Sequence, residues 1–260
     1  MQYSVQYIVG FAAAVCVVCA LFVSVSAVSL KDLQTANKVL DRQKNVLSVS
    51  GLVESTDGLS SEQVEQYFAD SIRARVIDLE TGQYVEGVDP TTFDQQDEAK
   101  DPATSRQAPP NPSKITRVPD RALVYEVFEG DKVATIILPI QGMGLWSTLY
   151  GYIAISGDDT NTVEGITYYD QLETAGLGGE VENPRWKALW PGRKLFNDRW
   201  QPALVVAKGS VGPPAEDPYR VDGLSGATLT SNGVTNMLRF WMGEEGFGPF
   251  LSNLRAQKGI

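Results

Sequence analysis

The most apolar stretch of the chain runs from Ile8 to Val28, 21 residues in which only Ser24 and Ser26 are polar. As a helix it would span about 32 Å at ~1.5 Å per residue, close to the ~30 Å hydrocarbon core of a bilayer, so one transmembrane helix is expected. A cleaved signal peptide is the competing reading, because Val25-Ser26-Ala27 resembles a small-residue cleavage site. Against it, no basic residue precedes the run, and the run exceeds the ~7 to 15 residues of a signal core. Beyond the membrane segment Leu33, Leu40 and Leu47 recur every seven residues beside Val39 and Val46. This periodicity predicts an amphipathic stalk helix reaching toward Val49. Ser60 with Gln63 forms a capping box opening a short helix, roughly Ser61 to Ile72, with Val64, Phe68 and Ile72 on one side. Arg75 to Leu79 and Gln83 to Val85 flank Glu80-Thr81-Gly82 as a hairpin.

Six of the fourteen prolines then fall between Pro90 and Asp120, which reads as an irregular surface excursion or a boundary. The pattern next turns to strands: Ala122 to Glu129, a Gly130-Asp131 turn, Lys132 to Ile140, Leu145 to Ser156, and Val163 to Tyr169. Spacing of this kind predicts a mainly antiparallel sheet. Asn183-Pro184 reads as an N-cap with proline at the first helical position, the helix being stopped by Pro191. Ala203 to Lys208 is a further strand candidate, and Thr228 or Ser231 to Met242 is helical, with Val234, Leu238 and Trp241 on one face. The expected fold is α+β: a transmembrane anchor over 1–30, a helical stalk over 31–50, a soluble region with the proline-rich excursion over 51–120, and a sheet domain with flanking helices over 121–260.

Charge and composition narrow the chemistry. With 22 Lys and Arg against 32 Asp and Glu, the formal charge is −10. A nucleic-acid partner is therefore not expected, since phosphate recognition needs a local excess of basic residues. Lys31, Lys38, Arg42 and Lys44 follow the apolar run, and the charge rule alone would weakly favour a cytoplasmic C-terminal side. There is no histidine, which excludes Ser-His-Asp and Cys-His nucleophiles and His-ligated metal or haem. The only cysteines, Cys16 and Cys19, lie in the apolar run and read as lipid-facing or helix-packing residues. Redox chemistry in the rest of the chain would need an organic cofactor.

Neither a P-loop nor a full GxGxxG occurs, so a nicotinamide site is not indicated. The informative stretch is Asp222-Gly223-Leu224-Ser225-Gly226-Ala227-Thr228-Leu229-Thr230. Small residues and hydroxyls lead into a helix start, where backbone N–H groups face an anion with little obstruction. An ordinary Ser/Thr-rich helix cap is the competing reading.

Asp222 to Thr228 also resembles the flavinylation motif Asp-x-x-Ser/Thr-Gly-Ala-Thr. The run DGLSGATLTSNGV, with GMGLWSTLYGYIAI from Gly142, TYYDQLETAGLGGEVENPRW from Thr167, GFGPFL from Gly246 and the stalk LKDLQTANKVLDRQKNVLSVSG, is similar to the C subunit of Na+-translocating NADH:quinone oxidoreductases. The likeness extends over essentially the whole chain. It implies FMN bound through a phosphoester to Thr228, a close-approach turn at Ser225, Gly226 and Ala227, and Asp222 within the sequence read by a flavin transferase. Glu173, Thr174, Gly176 and Leu177 match the family's second flavin loop, with Ala175 at a position where proline is common. Leu145 and Trp146 would cover the ring, with core packing as an equal alternative.

The family resemblance further implies an electron-relaying component working with the A, B, D, E and F subunits in the bacterial inner membrane. Electrons would pass from NADH toward ubiquinone, coupled to sodium export, and the soluble domain would be periplasmic. The homologous flavin subunit of the Rnf complex shares Ser/Thr-Gly-Ala-Thr and is the nearest alternative. A non-redox membrane adaptor, docking partners through residues 90–120, is the alternative from another class.

Overall fold

The computed structural model describes residues 4–53 and 55–259. The expected segments 1–30, 51–120 and 121–260 include residues 1–3, Glu54 and Ile260, which lie outside those described. Two compact units divide after Arg42. Helix α1, Val5–Val49, is continuous through the expected anchor and stalk. Its Val5–Lys31 portion is long and apolar enough to cross a membrane. The last turns belong to the larger unit, where Val46 and Leu47 are fully buried.

The larger unit is built on a five-stranded antiparallel sheet. From one edge to the other its strands are β1 Ile72–Asp78, β4 Arg121–Glu129, β5 Lys132–Met143, β6 Thr148–Ser156 and β7 Val163–Asp170. Gly130, at φ +62°, makes the tight β4–β5 turn that a side chain would resist. Register is fixed by pairs such as Tyr125↔Ile137 and Ile137↔Ala154. Alternation then sends the two sets of side chains to opposite faces. Ile136, Leu138, Ile140, Leu149 and Ile153 join the main core with helix α5, Thr228–Trp241, which supplies Val234, Met237, Leu238 and Trp241. On the other face rings succeed one another, Phe68–Tyr125, Tyr125–Tyr152 and Tyr152–Tyr169, at centroid separations of 6.2, 6.0 and 5.2 Å. Phe68 comes from helix α2, Ser61–Ser71, which carries the capping box read from Ser60 and Gln63.

Several expectations need correction. The proline-rich excursion is ordered: helix α3, Gln95–Lys100, is capped by Asp94, and β2, Ser105–Gln107, pairs with β3, Arg117–Pro119. Tertiary ion pairs hold these short elements, Arg121 to Glu98 at 2.7 Å and Arg106 to Glu245 at 3.3 Å. The second arm of the hairpin after β1 reduces to one bridge, Ile77↔Tyr84. The strand expected from Leu145 begins at Thr148, because Leu145 and Trp146 lie in a turn. The helix opened by Asn183 ends early, as α4, Pro184–Lys187, and only Val205–Val206 of the 203–208 candidate is strand, β8, parallel to β9, Arg220–Val221. A final helix, α6, Gly248–Lys258, has no counterpart among the expected elements. Its apolar residues are only Pro249, Phe250, Leu251, Leu254 and Ala256, so the amphipathic signal is weak.

Candidate functional site

Three segments far apart in sequence converge on one carboxylate. Glu173 Oε1 accepts N–H bonds from Leu145, Trp146 and Ser147 at 3.0, 2.8 and 3.1 Å. Its Oε2 accepts the Thr230 hydroxyl at 2.7 Å. Glu173 thereby ties the β5–β6 turn and the loop after β7 to the first turn of α5. Burial alone would raise its pKa, but the Thr230 hydroxyl and the three backbone donors outweigh that and hold the carboxyl below its ordinary value. Glycines make the close approach possible. A Cβ on Gly144 would lie 2.6 Å from Glu173 Oε1, and one on Gly178 would lie 2.4 Å from Oε2.

The second loop is closed by its own backbone. Leu177 and Gly179 N–H both donate to the Thr174 carbonyl at 3.0 Å, and Gly176 takes φ +75°. This turn is therefore fixed with Ala175 in place of proline. Leu177 reaches the motif loop, its Cδ2 standing 2.9 Å from where a Cβ on Gly226 would be. Gly226 itself adopts φ +69°. Helix α5 is locked to β5 from below, since a Cβ on Gly233 would lie 2.4 Å from the Met143 carbonyl oxygen.

The first residue of α5 is Thr228, and no side chain caps the helix N terminus. Thr228, Ser225 and Gly226 are exposed, whereas Ala227 is buried. The nearest hydroxyls of the run look inward: Ser231 Oγ accepts from Leu224 N–H at 3.1 Å and Thr235 Oγ1 from Val206 N–H at 2.9 Å. Leu145 and Trp146 are exposed, Trp146 by 69%, and so are Leu172 (81%), Leu177 and Leu229 (59%). Exposed large apolar residues around one polar node mark a surface made to be covered. A helix start offering N–H donors beside apolar side chains suits a ligand with an anionic end and a flat apolar end.

Of the residues singled out in the sequence, Leu145, Trp146, Glu173, Leu177, Gly226 and Thr228 belong to these interlocked segments, with Thr174 and Gly176 in the exposed loop between. Asp222 is different. Its carboxylate faces away toward residues 210 and 211, accepting from Ser210 Oγ and Val211 N–H, each at 2.9 Å. Its carbonyl accepts the Trp186 indole N–H at 2.8 Å. Sequence reasoning placed Leu229 and Thr230 in the motif stretch without a role of their own, and missed Ser147 and Leu172. Ser147 Oγ accepts Leu172 N–H at 2.8 Å, a pairing no local pattern announces.

A domain with this sheet, this helix start and these loops belongs to a known class: residues 144–243 match the FMN-binding domain family. Beyond that segment, curated relatives match almost end to end. A protein of Vibrio anguillarum, named as the C subunit of a Na(+)-translocating NADH-quinone reductase, is 48% identical over 244 residues, 93% of this chain and 92% of its own. One of the same name from Pseudomonas aeruginosa is 46% identical over 93% of this chain and 92% of its own. Among solved structures, Shewanella oneidensis NqrC superposes with a TM-score of 0.78 at 35% identity, covering 85% of this chain and 99% of that one. The corresponding protein of Parabacteroides distasonis gives 0.67 at 27% identity, with 86% and 97% covered. The chain belongs to the NqrC family, the C subunits of the Na(+)-translocating NADH-quinone reductases.

Proposed function

We propose that this chain carries FMN as a phosphoester on Thr228 and relays electrons within a Na+-translocating NADH:quinone reductase, on the way from NADH toward ubiquinone. The observation that carries this reading is the position of the Thr228 hydroxyl, exposed on the first residue of a 14-residue helix whose N terminus no side chain caps. The start of α5 would hold a phosphate there through its uncapped N–H groups and the positive end of the helix dipole, on a chain whose net charge is otherwise −10. Gly226 and Ala227 allow the backbone to approach it closely, and Ser225 adds an exposed hydroxyl.

Bound FMN supplies reversible electron uptake, for which the chain beyond Cys19 has no thiol. The chain's own residues do the rest. Leu145, Trp146, Leu172, Leu177 and Leu229 present apolar surface for the ring and exclude water from its neighbourhood. Glu173, kept charged by its four donors, fixes the two loops that bear several of these side chains. Asp222, bonded to Ser210 and Val211, shapes the run recognised by a flavin transferase.

In this reading the partners are the A, B, D, E and F subunits, which hold the NADH and quinone sites and the ion path, since one apolar helix cannot line a channel. Helix α1 anchors the chain in the bacterial inner membrane, and the soluble unit lies in the periplasm. A phosphatase reporter fused after Lys258 should be active in the periplasm, and inactivity there would reverse the topology.

Covalent attachment is tested on a denaturing gel under ultraviolet light, using cells that contain the transferase. Wild-type protein should give a fluorescent band, and Thr228→Ala should abolish it while leaving the protein folded. An equally bright Thr228→Ala band, or an unmodified Thr228 peptide in the mature complex by mass spectrometry, would refute the reading.

A further inference from the structure

At the end of the domain formed by the α5–α6 turn lies a cation with no ion-pair counterpart among the described residues. Arg255 of α6 is only 8% exposed, and its enclosed guanidinium nitrogen Nη1 has no hydrogen-bond partner. Among the described residues no carboxylate comes within ion-pair distance of it. It rests instead on aromatic rings, its central carbon 4.2 Å from the Trp200 centroid and 5.2 Å from that of Phe196. Cation–π contact replaces part of the lost hydration but satisfies none of the guanidinium's directional N–H donors. Burial lowers the pKa of Arg255, yet a guanidinium stays protonated at any physiological pH. An enclosed guanidinium nitrogen with no acceptor is a costly arrangement in a protein interior.

Arg255 borders a cavity of about 340 Å³, shared with Trp200, Met242, Glu244, Pro249 and Ser252. That volume lies within the range of ligand pockets. Its walls are set by backbone geometry. Trp200 adopts φ +57°, a region that bulky residues avoid. Asn197 enforces it: its carbonyl accepts Trp200 N–H at 2.9 Å, and its side-chain oxygen accepts Arg199 and Gln201 N–H at 2.9 and 3.1 Å. In the α5–α6 turn a Cβ on Gly246 would lie 2.4 Å from the Trp241 carbonyl, and one on Gly248 would lie 2.5 Å from that of Gly243. A preformed cavity, a strained aromatic wall and an unanswered buried cation describe a binding site, and none of them is needed to hold FMN.

We propose that this cavity is a carboxylate-docking site, in which an Asp or Glu side chain of another subunit of the reductase pairs with Arg255 against the Trp200 ring. The planar guanidinium fork matches a carboxylate in two parallel bonds. Glu244, exposed at the cavity, would repel a doubly charged phosphate more than a single carboxylate. A free acetate-sized ion would leave most of the volume and the Pro249 wall wet, whereas a residue with its flanking backbone fills both. The proposal rests on the reading of this chain as one component of a larger complex.

The test uses the assembled complex, with a photo-crosslinking benzoylphenylalanine in place of the exposed Gln201 at the cavity. Irradiation should join the chain to one other subunit. Adding Arg255→Met should cut that crosslink at least fivefold per retained subunit, while Arg255→Lys should preserve part of it. In parallel, full-length Arg255→Met in detergent should melt at or above the wild-type temperature, because no counter-charge is lost with the cation; a clear drop would make Arg255 a structural clamp and overturn the proposal. Absence of any crosslink in an assembled complex overturns it, as does a crosslink indifferent to Arg255→Met. So does saturable quenching of tryptophan fluorescence by acetate, beyond matched chloride, without a crosslink, since that marks a site for a free carboxylate. A wild-type chain that fails to co-purify with any reductase subunit would instead count against the proposed function.

Discussion

Helix α5 stands between two buried ionisable side chains of opposite sign. By its first turn Glu173 accepts four hydrogen bonds, and past its last turn Arg255 has an enclosed nitrogen with no acceptor. Both are 8% exposed, so burial does not separate them. What separates them is satisfaction. A carboxylate surrounded by donors is a joint that fixes three chain segments before any ligand arrives, whereas a cation lacking acceptors is half of an interaction. In the proposed reading, the contrast divides the domain into an end shaped for a resident cofactor and an end shaped for a visitor.

The comparison can be broken most directly at Glu173. Glu173→Ala leaves three backbone N–H groups and a hydroxyl without their acceptor, and should cost about 3 kcal/mol in urea unfolding of the detergent-solubilised chain. It should also lower FMN content, because the 145–147 turn is released. A loss under about 1 kcal/mol would mean that the carboxylate is not the joint. Glu173→Gln, which keeps an acceptor but no charge, should cost about 1 to 2 kcal/mol at neutral pH.

That smaller difference has a defined pH dependence. The folded pKa of Glu173 lies below its unfolded value, so its contribution is complete above the ordinary carboxylate pKa of about 4.3 and disappears as pH falls through the depressed folded value. Wild type minus Glu173→Gln stability should therefore be flat from about pH 6 to 8 and shrink only under acid. A difference that grew on acidification would contradict the assignment. Gly226→Ala comes next, at about 1 to 2 kcal/mol, since the residue sits at φ +69° and a Cβ would press on Leu177 at 2.9 Å. Arg255→Met should be smallest, within about 1 kcal/mol of wild type and stabilising if it departs from it.

The sheet was legible because hairpin strands announce themselves locally. Alternation through Ala122 to Glu129 and Lys132 to Ile140, with Gly130 between, needs no knowledge of the rest of the chain, and β4 and β5 follow it within a few residues. The capping box at Ser60 and Gln63 is equally local. Residues 90–120 were opaque for the opposite reason. Prolines hide elements as short as α3 and β2, which are fixed by tertiary contacts: Val118 of β3 is buried in the core, Glu98 meets Arg121 and Arg106 meets Glu245, the pairs 23 and 139 positions apart. At the site, the motif loop and the Glu173 loop could be named from their resemblance to a family. That Glu173 would grip the backbone at 145–147, 26 to 28 residues upstream, is a tertiary fact with no sequence period. Nothing in the sequence singles out Arg255, and only its burial against Trp200 marks it out.

The glycine contacts between α5 and β5 have a consequence for speed. A Cβ on Gly142 would fall 2.8 Å from Met237 Cβ, and one on Gly233 would fall 2.4 Å from the Met143 oxygen. The helix therefore meets the strand backbone at Gly233 and presses the Met237 side chain onto Gly142, with little compressible packing between them. Tunnelling rates decay exponentially with separation, so in the proposed reading a carrier mounted on Thr228 would be steadied against sliding of α5 along β5.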